Sequence, residues 1–250
     1  VMVFIVSFDK LKNVSELIQA LDNNRSLKQM DLKITVGVSG ETQFAQSYFS
    51  ERTIVIKLPK HYFWARALKY LVLNSSEDYD IALHINDDVD SIQLKNLDFS
   101  LYLNEDQISF GEFRDDNGEI IFGGFRTSFW KERMVEDKME MFNANLFIFP
   151  KKVLLKSMPL FTFQHAYLDF VLSYRAIKNN SVIEVSKIPL KSTNENKQDR
   201  QQVKKNYRST WHSRANPIDS FFYCIYTRQF LRAPLVLFYL TTKAIRKALV

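Results

Sequence analysis

Cysteine is nearly absent: Cys224 is the single thiol in 250 residues. An intramolecular disulfide and any cysteine-built metal cluster are therefore excluded, which fits a reducing compartment. Cys224 lies in an aromatic run, where a buried structural thiol is expected rather than a nucleophile. No Cys/His spacing of a zinc site occurs, neither common glycine-rich phosphate loop is present, and no repeat is found. Long apolar runs are missing too. Leu235 to Leu240 falls far short of the ~20 residues that span a bilayer. The chain enters an apolar strand at its first residues, so no signal peptide is expected.

Acidic residues are scarce at the C-terminal end. Residues 191–250 hold twelve Lys/Arg against three Asp/Glu, a net +9 within a total of +6, which leaves −3 on the first 190. A nucleic-acid binder would carry its basic surface on the main fold, so that class is disfavoured. The basic end fits anionic lipid or an anionic substrate, with a plain solvated helical tail as the alternative. The hydrophobic content of 46% and charged content of 25% are those of a globular protein. A chain of this length forms one large domain, or a domain with a tail.

Strand and helix patterns alternate along the first ninety residues. Val1 to Ser7, Leu32 to Val38, Thr53 to Leu58 and Asp80 to Ile85 read as strands. A helix capped by Asn13 or Ser15 runs to Asp22 with Val14, Leu17, Ile18 and Leu21 inward, and a second runs from Trp64 to Asn74 with Ala65, Leu68, Tyr70, Leu71 and Val72 inward. Such alternation indicates βαβ units and a mostly parallel sheet, whose ligands collect at the strands' carboxyl ends. The fourth strand ends in Asn86-Asp87-Asp88-Val89-Asp90. Three carboxylates at one strand tip repel, and hard oxygen ligands at alternate positions suit Mg2+ or Mn2+ shared with substrate phosphates. An acidic solvated turn is the other reading.

Further on, Gly111 to Arg114 and Glu119 to Phe122 flank an Asn117-Gly118 turn and read as a hairpin. A polar loop to Asp137 follows, then a strand from Phe142 to Phe149 and a short helix opened by Pro150. A helix from His165 to Lys178, a strand from Val182 to Val185, a polar stretch from Lys191 to Arg208 and amphipathic helices over Pro217–Phe230 and Leu235–Ala248 complete the chain.

In this order the elements resemble the family 2 glycosyltransferases. Val3-Phe4-Ile5-Val6-Ser7-Phe8-Asp9 is similar to that family's first strand. Trp64-Ala65-Arg66-Ala67-Leu68 is similar to its Ala-Arg helix, and Ile85-Asn86-Asp87-Asp88-Val89 resembles its DXD metal motif. Phe142-Asn143-Ala144-Asn145-Leu146-Phe147-Ile148 resembles its Phe-Asn-Gly strand, and His165 to Ala176 its acidic helix start with an Arg six after the Asp. The chain departs from the family in several places, among them the Gln-x-x-Arg-Trp of processive synthases, which Arg208-Ser209-Thr210-Trp211 does not match. Val36-Gly37-Val38-Ser39-Gly40 lacks the Asp after strand two, Val171 replaces a second acid, and Ala144 replaces Gly.

The resemblance implies an α/β GT-A (nucleotide-diphospho-sugar transferase) fold: a mostly parallel central sheet flanked by helices, with C-terminal amphipathic helices. It implies a GT-A catalytic domain over 1–215, divided into a nucleotide-binding half (1–100) and an acceptor-binding half (101–215), and a basic amphipathic tail over 216–250. The implied activity is metal-dependent, inverting transfer of a sugar from a nucleotide-diphosphate donor to a glycan or lipid-linked acceptor hydroxyl, in cell-surface polysaccharide biosynthesis. A non-catalytic GT-A-like sugar-binding or scaffold domain is the alternative, favoured by the departures. A sugar nucleotidyltransferase would want a glycine-rich start, which Ser7-Phe8-Asp9-Lys10 does not offer.

A divalent ion, Mn2+ or Mg2+, neutralises a diphosphate leaving group. Asp88 is the expected main ligand, with Asn86, Asp87 or Asp90 assisting and His212 as a further ligand from the C-terminal loop. Asp169 is the expected general base, or a helix cap. Ser7, Asp9 and Ser39 sit at strand ends where base and ribose would lie. Arg66 would touch the diphosphate or snorkel from the core. Asn143 and His165 are expected on the acceptor side, His165 alternatively as a structural histidine, and Arg175 there as a loop brace or phosphate ligand. Leu235 to Leu240 followed by Lys243, Arg246 and Lys247 resembles a peripheral membrane anchor, against a helix packed on the core or on a second subunit. Expected partners are nucleotide sugar, acceptor and an anionic membrane surface, with no nucleic acid and a homodimer left open. The expected location is cytoplasmic, on the inner face of the plasma membrane.

Overall fold

The computed structural model describes residues 1–40, 49–127, 132–143, 145–164, 167–179, 184–191 and 217–248. The elements are β1 (Met2–Phe8), α1 (Leu11–Asn23), β2 (Lys33–Ser39), β3 (Thr53–Leu58), α2 (Trp64–Asn74), β4 (Ile81–Asn86) and α3 (Ser91–Asn96), followed by β5 (Gln107–Arg114), β6 (Ile120–Phe122), β7 (Gly124–Thr127), β8 (Glu132–Met134) and β9 (Met141–Phe142). After these come β10 (Leu146–Pro150), α4 (Lys151–Ser157), α5 (Leu168–Asn179), β11 (Glu184–Lys191), α6 (Pro217–Tyr226) and α7 (Arg232–Ala248).

The main sheet has the order β11-β5-β10-β4-β1-β2-β3, with β6 added on β5. Strands β4, β1, β2 and β3 run parallel, β10 is antiparallel to β4 and β5, and β11 is parallel to β5. The reversal at β10 has a consequence for the site. It brings the segment just before Leu146 to the carboxyl end of β4, because Leu146 pairs with Ile85.

Period-two alternation divides the core between the two faces. Val3, Ile5, Ile34, Val36, Leu83, Ile85 and Ile148 pack with α1 residues Val14, Leu17, Ile18 and Leu21 on one face. Met2, Phe4, Val6, Phe110, Phe147 and Phe149 pack with α2, α4, α5 and α6 on the other. Burying one such side chain contributes about 1.5–3 kcal/mol.

The structure corrects several expectations. Helix α1 begins at Leu11 after Lys10, with no side-chain cap. Asn13 is not a cap, because its amide reaches across to the Asp87 carbonyl at 3.1 Å. Tyr70 on α2 is exposed, and the small Ala67 is buried in its stead. The polar stretch before Asp137 contains β7 and β8, which form a small antiparallel sheet with β9. The strand expected over Phe142 to Phe149 is two strands, because its ends pair with different sheets. Helix α5 starts at Leu168, preceded by Tyr167 at φ 71°. Strand β11 is longer than expected and runs on through Pro189, tolerated on an edge strand. The boundary expected at 215/216 and the polar stretch from 192 lie outside the described residues. Beyond that boundary, Tyr223, Cys224 and Ala233 belong to the core of the aromatic face.

Candidate functional site

The carboxyl end of β4 is joined to its two neighbours by side chains of opposite parity. Asp87 turns toward β1: the Ser7 hydroxyl donates to its Oδ2 at 2.8 Å, and Lys10 Nζ lies 3.6 Å from Oδ1. Burial pushes the Asp87 carboxyl up, against the opposing pull of Lys10, Ser7 and the Phe8 N–H. Asp87 therefore fastens the loop after β1 to the strand tip, with Asn13 adding a bond to its carbonyl.

Asn86 and Asp88 turn the other way, onto a chain of amides. His84 is fully buried, and burial lowers its pKa to about 4, so the ring is neutral near pH 7. One ring nitrogen, Nδ1, lies 3.0 Å from the Phe4 carbonyl, which can only accept. The proton is therefore assigned to Nδ1, leaving Nε2 to accept from the Trp64 indole at 3.1 Å. The same indole N–H reaches Asn86 Oδ1 at 2.5 Å and is shared between these two acceptors, which lie 3.0 Å apart. With its oxygen so fixed, Asn86 donates through Nδ2 to Asn145 Oδ1 at 3.0 Å, and Asn145 donates through Nδ2 to Asp88 Oδ2 at 3.4 Å. Each amide presents its NH2 to the next acceptor, and the last acceptor is the Asp88 carboxylate. The backbone repeats the link, since Asn86 N–H donates to the Asn145 carbonyl at 2.7 Å.

Asp90 caps α3, accepting from Ile92 N–H at 2.8 Å and from Gln93 Nε2 at 3.2 Å. Ser39 is buried at the end of β2, in register with Phe8 and Leu58. Asp9 has φ 56° and Gly40 has φ 137°. A Cβ at Gly40 would overlap the Asp9 carboxylate, so glycine is needed there both for its conformation and for its missing side chain. The end of β2, which lacks an Asp of its own, is thus covered by a carboxylate from β1. Lys57 Nζ donates to the Gly40 carbonyl at 2.9 Å and holds this corner.

On the other side, Asp169 is buried in the first turn of α5, where Oδ1 accepts from Phe170 N–H at 2.9 Å. One turn later Ser173 accepts from Phe142 N–H at 2.9 Å, which docks α5 on the strand leading to Asn145. The Asn143 backbone N–H donates to the Gly123 carbonyl at 3.0 Å. Arg66 lies over the Tyr62 ring at 4.4 Å. Arg175 donates to the Met158 and Lys156 carbonyls at 3.0 and 3.2 Å, the bracing arrangement. His165 and His212 lie outside the described residues.

The structure thus brings Ser7, Asn86, Asp87 and Asp88 together, and puts Asp90 and Arg175 to local structural use. Trp64, His84, Asn145, Gly40 and Lys57 were not foreseen as parts of this site. Asn145 and His84 had a visible signal, each a polar residue inside an apolar strand pattern, Phe142 to Phe149 and Asp80 to Ile85. Among the described residues no three His, Cys, Asp or Glu side chains form a group able to hold a metal ion. A divalent ion would therefore rest on Asp88 with few other protein ligands, which fits a cation completed by substrate phosphates and water.

No family model matches the chain, and no curated protein matches it. Solved structures do. S. aureus TarS 1-349 in complex with UDP-GlcNAc superposes with a TM-score of 0.55 at 13% identity, over 90% of this chain and 65% of that one. A second structure of S. aureus TarS 1-349 gives 0.55 at 11% identity, over 92% and 70%. GalNAc-T7 with UDP, GalNAc and Mn2+ gives 0.51 at 7% identity, over 78% and 43%. The chain thus spans about two thirds of the TarS fragment and less than half of the GalNAc-T7 chain. At such identities the likeness establishes the fold alone, and that fold is GT-A, a mixed α/β architecture with a mostly parallel central sheet flanked by helices.

Proposed function

We propose that the chain is a metal-dependent, inverting glycosyltransferase that moves a sugar from a nucleotide-diphosphate donor to an acceptor hydroxyl. The observation that carries this reading is the placement of Asp88. It stands at the carboxyl end of a parallel strand in a GT-A fold, aimed by a directional chain of two amides, the half-buried Asn86 and the buried Asn145. A turn that merely met solvent would have no use for such a support. The TarS complex holds UDP-GlcNAc and the GalNAc-T7 complex holds UDP, GalNAc and Mn2+, which makes UDP-sugars the first donors to test.

In this reading Asp88 would hold Mn2+ or Mg2+, and the bound ion would neutralise charge on the departing diphosphate. Asp87 keeps the β1 loop closed against the strand tip, so Asp9 and Ser39 border the nucleotide pocket. Asp169 accepts the proton of the acceptor hydroxyl. Bacterial surface polysaccharide remains the proposed acceptor context. The second reading, a non-catalytic sugar-binding domain, is favoured by the lack of an Asp at the end of β2 and by Val171 on α5, where the resembled family has a second acid.

Calorimetric titration with UDP, GDP and dTDP, each with Mn2+ and with EDTA, tests the proposal. One nucleotide should bind only with metal. Asp88→Ala should abolish that binding, and Asp169→Asn should keep it while stopping transfer. Metal-dependent binding without transfer by the native chain, across a panel of acceptors, would establish the second reading. Donor binding lost equally in both variants would overturn the assigned roles.

A further inference from the structure

Helix α7 is mounted with its larger apolar side chains outward. Ala233 is buried in the core and Val236 packs against it, while Leu231, Leu235, Phe238 and Tyr239 face solvent. Leu231 is 75% exposed and Phe238 72%, and Phe230, at the entry to the helix, adds a further exposed ring. These positions follow the spacing of one helical stripe. Monomeric surfaces scatter single apolar residues, and a contiguous stripe of this kind marks a contact site.

A second apolar tip stands near this corner, and it is held rigidly. Leu160 is 93% exposed on the loop after α4. Lys69 Nζ donates to the carbonyls of Pro159 and Leu160, both at 2.8 Å, and to Phe161 at 3.3 Å. Phe161 N–H donates to the Tyr226 hydroxyl at 3.0 Å, at the end of α6. Its ring stacks on Phe222 with centroids 3.9 Å apart. Water gives no reason to hold a leucine out on a braced loop.

We propose that this face, α7 with the Leu160 tip, docks on an anionic lipid bilayer, the helix lying along the surface with its apolar stripe in the boundary between headgroups and acyl chains. Charge selects this occupant. From Ser220 to Val250 the sequence has Arg228, Arg232, Lys243, Arg246 and Lys247 and no Asp or Glu. A second copy of the chain would bring the same cations against themselves without a carboxylate to neutralise them. An anionic bilayer offers the opposite charge, and aromatic rings suit its interface. Spanning is excluded for the described helices, none of which is long and apolar enough to cross a membrane. The inference is independent of the nucleotide site.

Flotation with vesicles tests it, using phosphatidylcholine alone or with roughly one third phosphatidylglycerol. The native chain should float with the anionic vesicles only, and added salt should release it. The double substitution Phe238→Ser with Tyr239→Ser should weaken flotation about tenfold or more, and Leu160→Ser by about threefold, with unchanged circular dichroism. Replacing Lys243, Arg246 and Lys247 by Gln should also abolish flotation, with the apolar stripe intact. Equal flotation with neutral vesicles, or undiminished flotation of these variants, would overturn the proposal. So would a failure to float, whether the chain is monomeric or forms a dimer that the double substitution dissolves.

Discussion

The two faces of β4 carry different chemistry on one short strand. Ile81, Leu83 and Ile85 point to the aliphatic face under α1, where nearly every neighbour is Val, Ile or Leu. Ala82, His84 and Asn86 alternate with them and point to the aromatic face, where His84 lies 4.8 Å from Phe147 and 5.5 Å from Trp64 between ring centroids. Aliphatic side chains fill space and bring no polar atoms. Aromatic neighbours fill space and also supply a polar tip, here the Trp64 N–H, that can begin a hydrogen-bonded chain. The strand's alternation therefore separates a face that holds the fold from a face that also aims the site. The same parity continues past the strand end, sending Asp87 to β1 and Asp88 to Asn145.

Truncating one residue on each face should separate these two jobs. Phe147→Ala should cost about 3–5 kcal/mol and Leu83→Ala about 2–5 kcal/mol, measured by denaturant unfolding. Both lose core packing, yet only Phe147→Ala removes the ring beneath His84. Metal-supported nucleotide affinity, at a temperature where both variants are folded, should fall for Phe147→Ala and hold for Leu83→Ala. Equal affinities would mean that the aromatic face packs the core and nothing more.

Asn145→Ala comes next in size. It removes the acceptor for Asn86 and the donor to Asp88, and an unsatisfied buried amide costs about 1–3 kcal/mol. Nucleotide affinity in Mn2+ should drop several-fold, and more Mn2+ should be needed to reach half-maximal binding. A lower affinity with an unchanged Mn2+ requirement would place Asn145 in general packing rather than in positioning Asp88.

How much of this was legible in the sequence follows the same division. The βαβ half was readable because its patterns are local: Thr53 to Leu58 and Trp64 to Asn74 have the observed bounds, and α1 buries the four residues expected. Asp88 stood out as one of a cluster of like charges at a strand end. The small sheet was hidden because β7 pairs with β8 and β9 across a polar sequence, and such partners carry no local period. The amide chain was hidden for a different reason. His84 reads as an interruption of an apolar run and Asn86 as the start of the acidic strand tip, and only the crossing of β10 beside β4 gives Asn86 its partner Asn145.

The smallest effect concerns how the small sheet is tied to the aromatic face. Glu140 accepts from Thr127 N–H at 2.9 Å and from Lys178 Nζ at 3.0 Å, joining the end of β7 to α5. Burial pushes this carboxyl up, but hydrogen bonds from Thr127 and the charge of Lys178 outweigh it and hold the pKa at about 2, below the usual 4.5. A carboxyl held low in the folded state binds its proton more readily when unfolded, so stability rises with pH between the two values. The contribution is complete above about pH 4.5 and is lost as pH falls toward 2. Glu140→Gln keeps an acceptor for Thr127 and removes the charge. Because the pair is partly open to solvent, the variant should be less stable by only about 1 kcal/mol or less near neutral pH. Thermal unfolding should show that gap closing as the pH is lowered from about 4.5 toward 2. A gap that stays constant over this range would mean that packing, rather than the carboxylate charge, ties the small sheet to α5, and that the aromatic face needs no electrostatic tether.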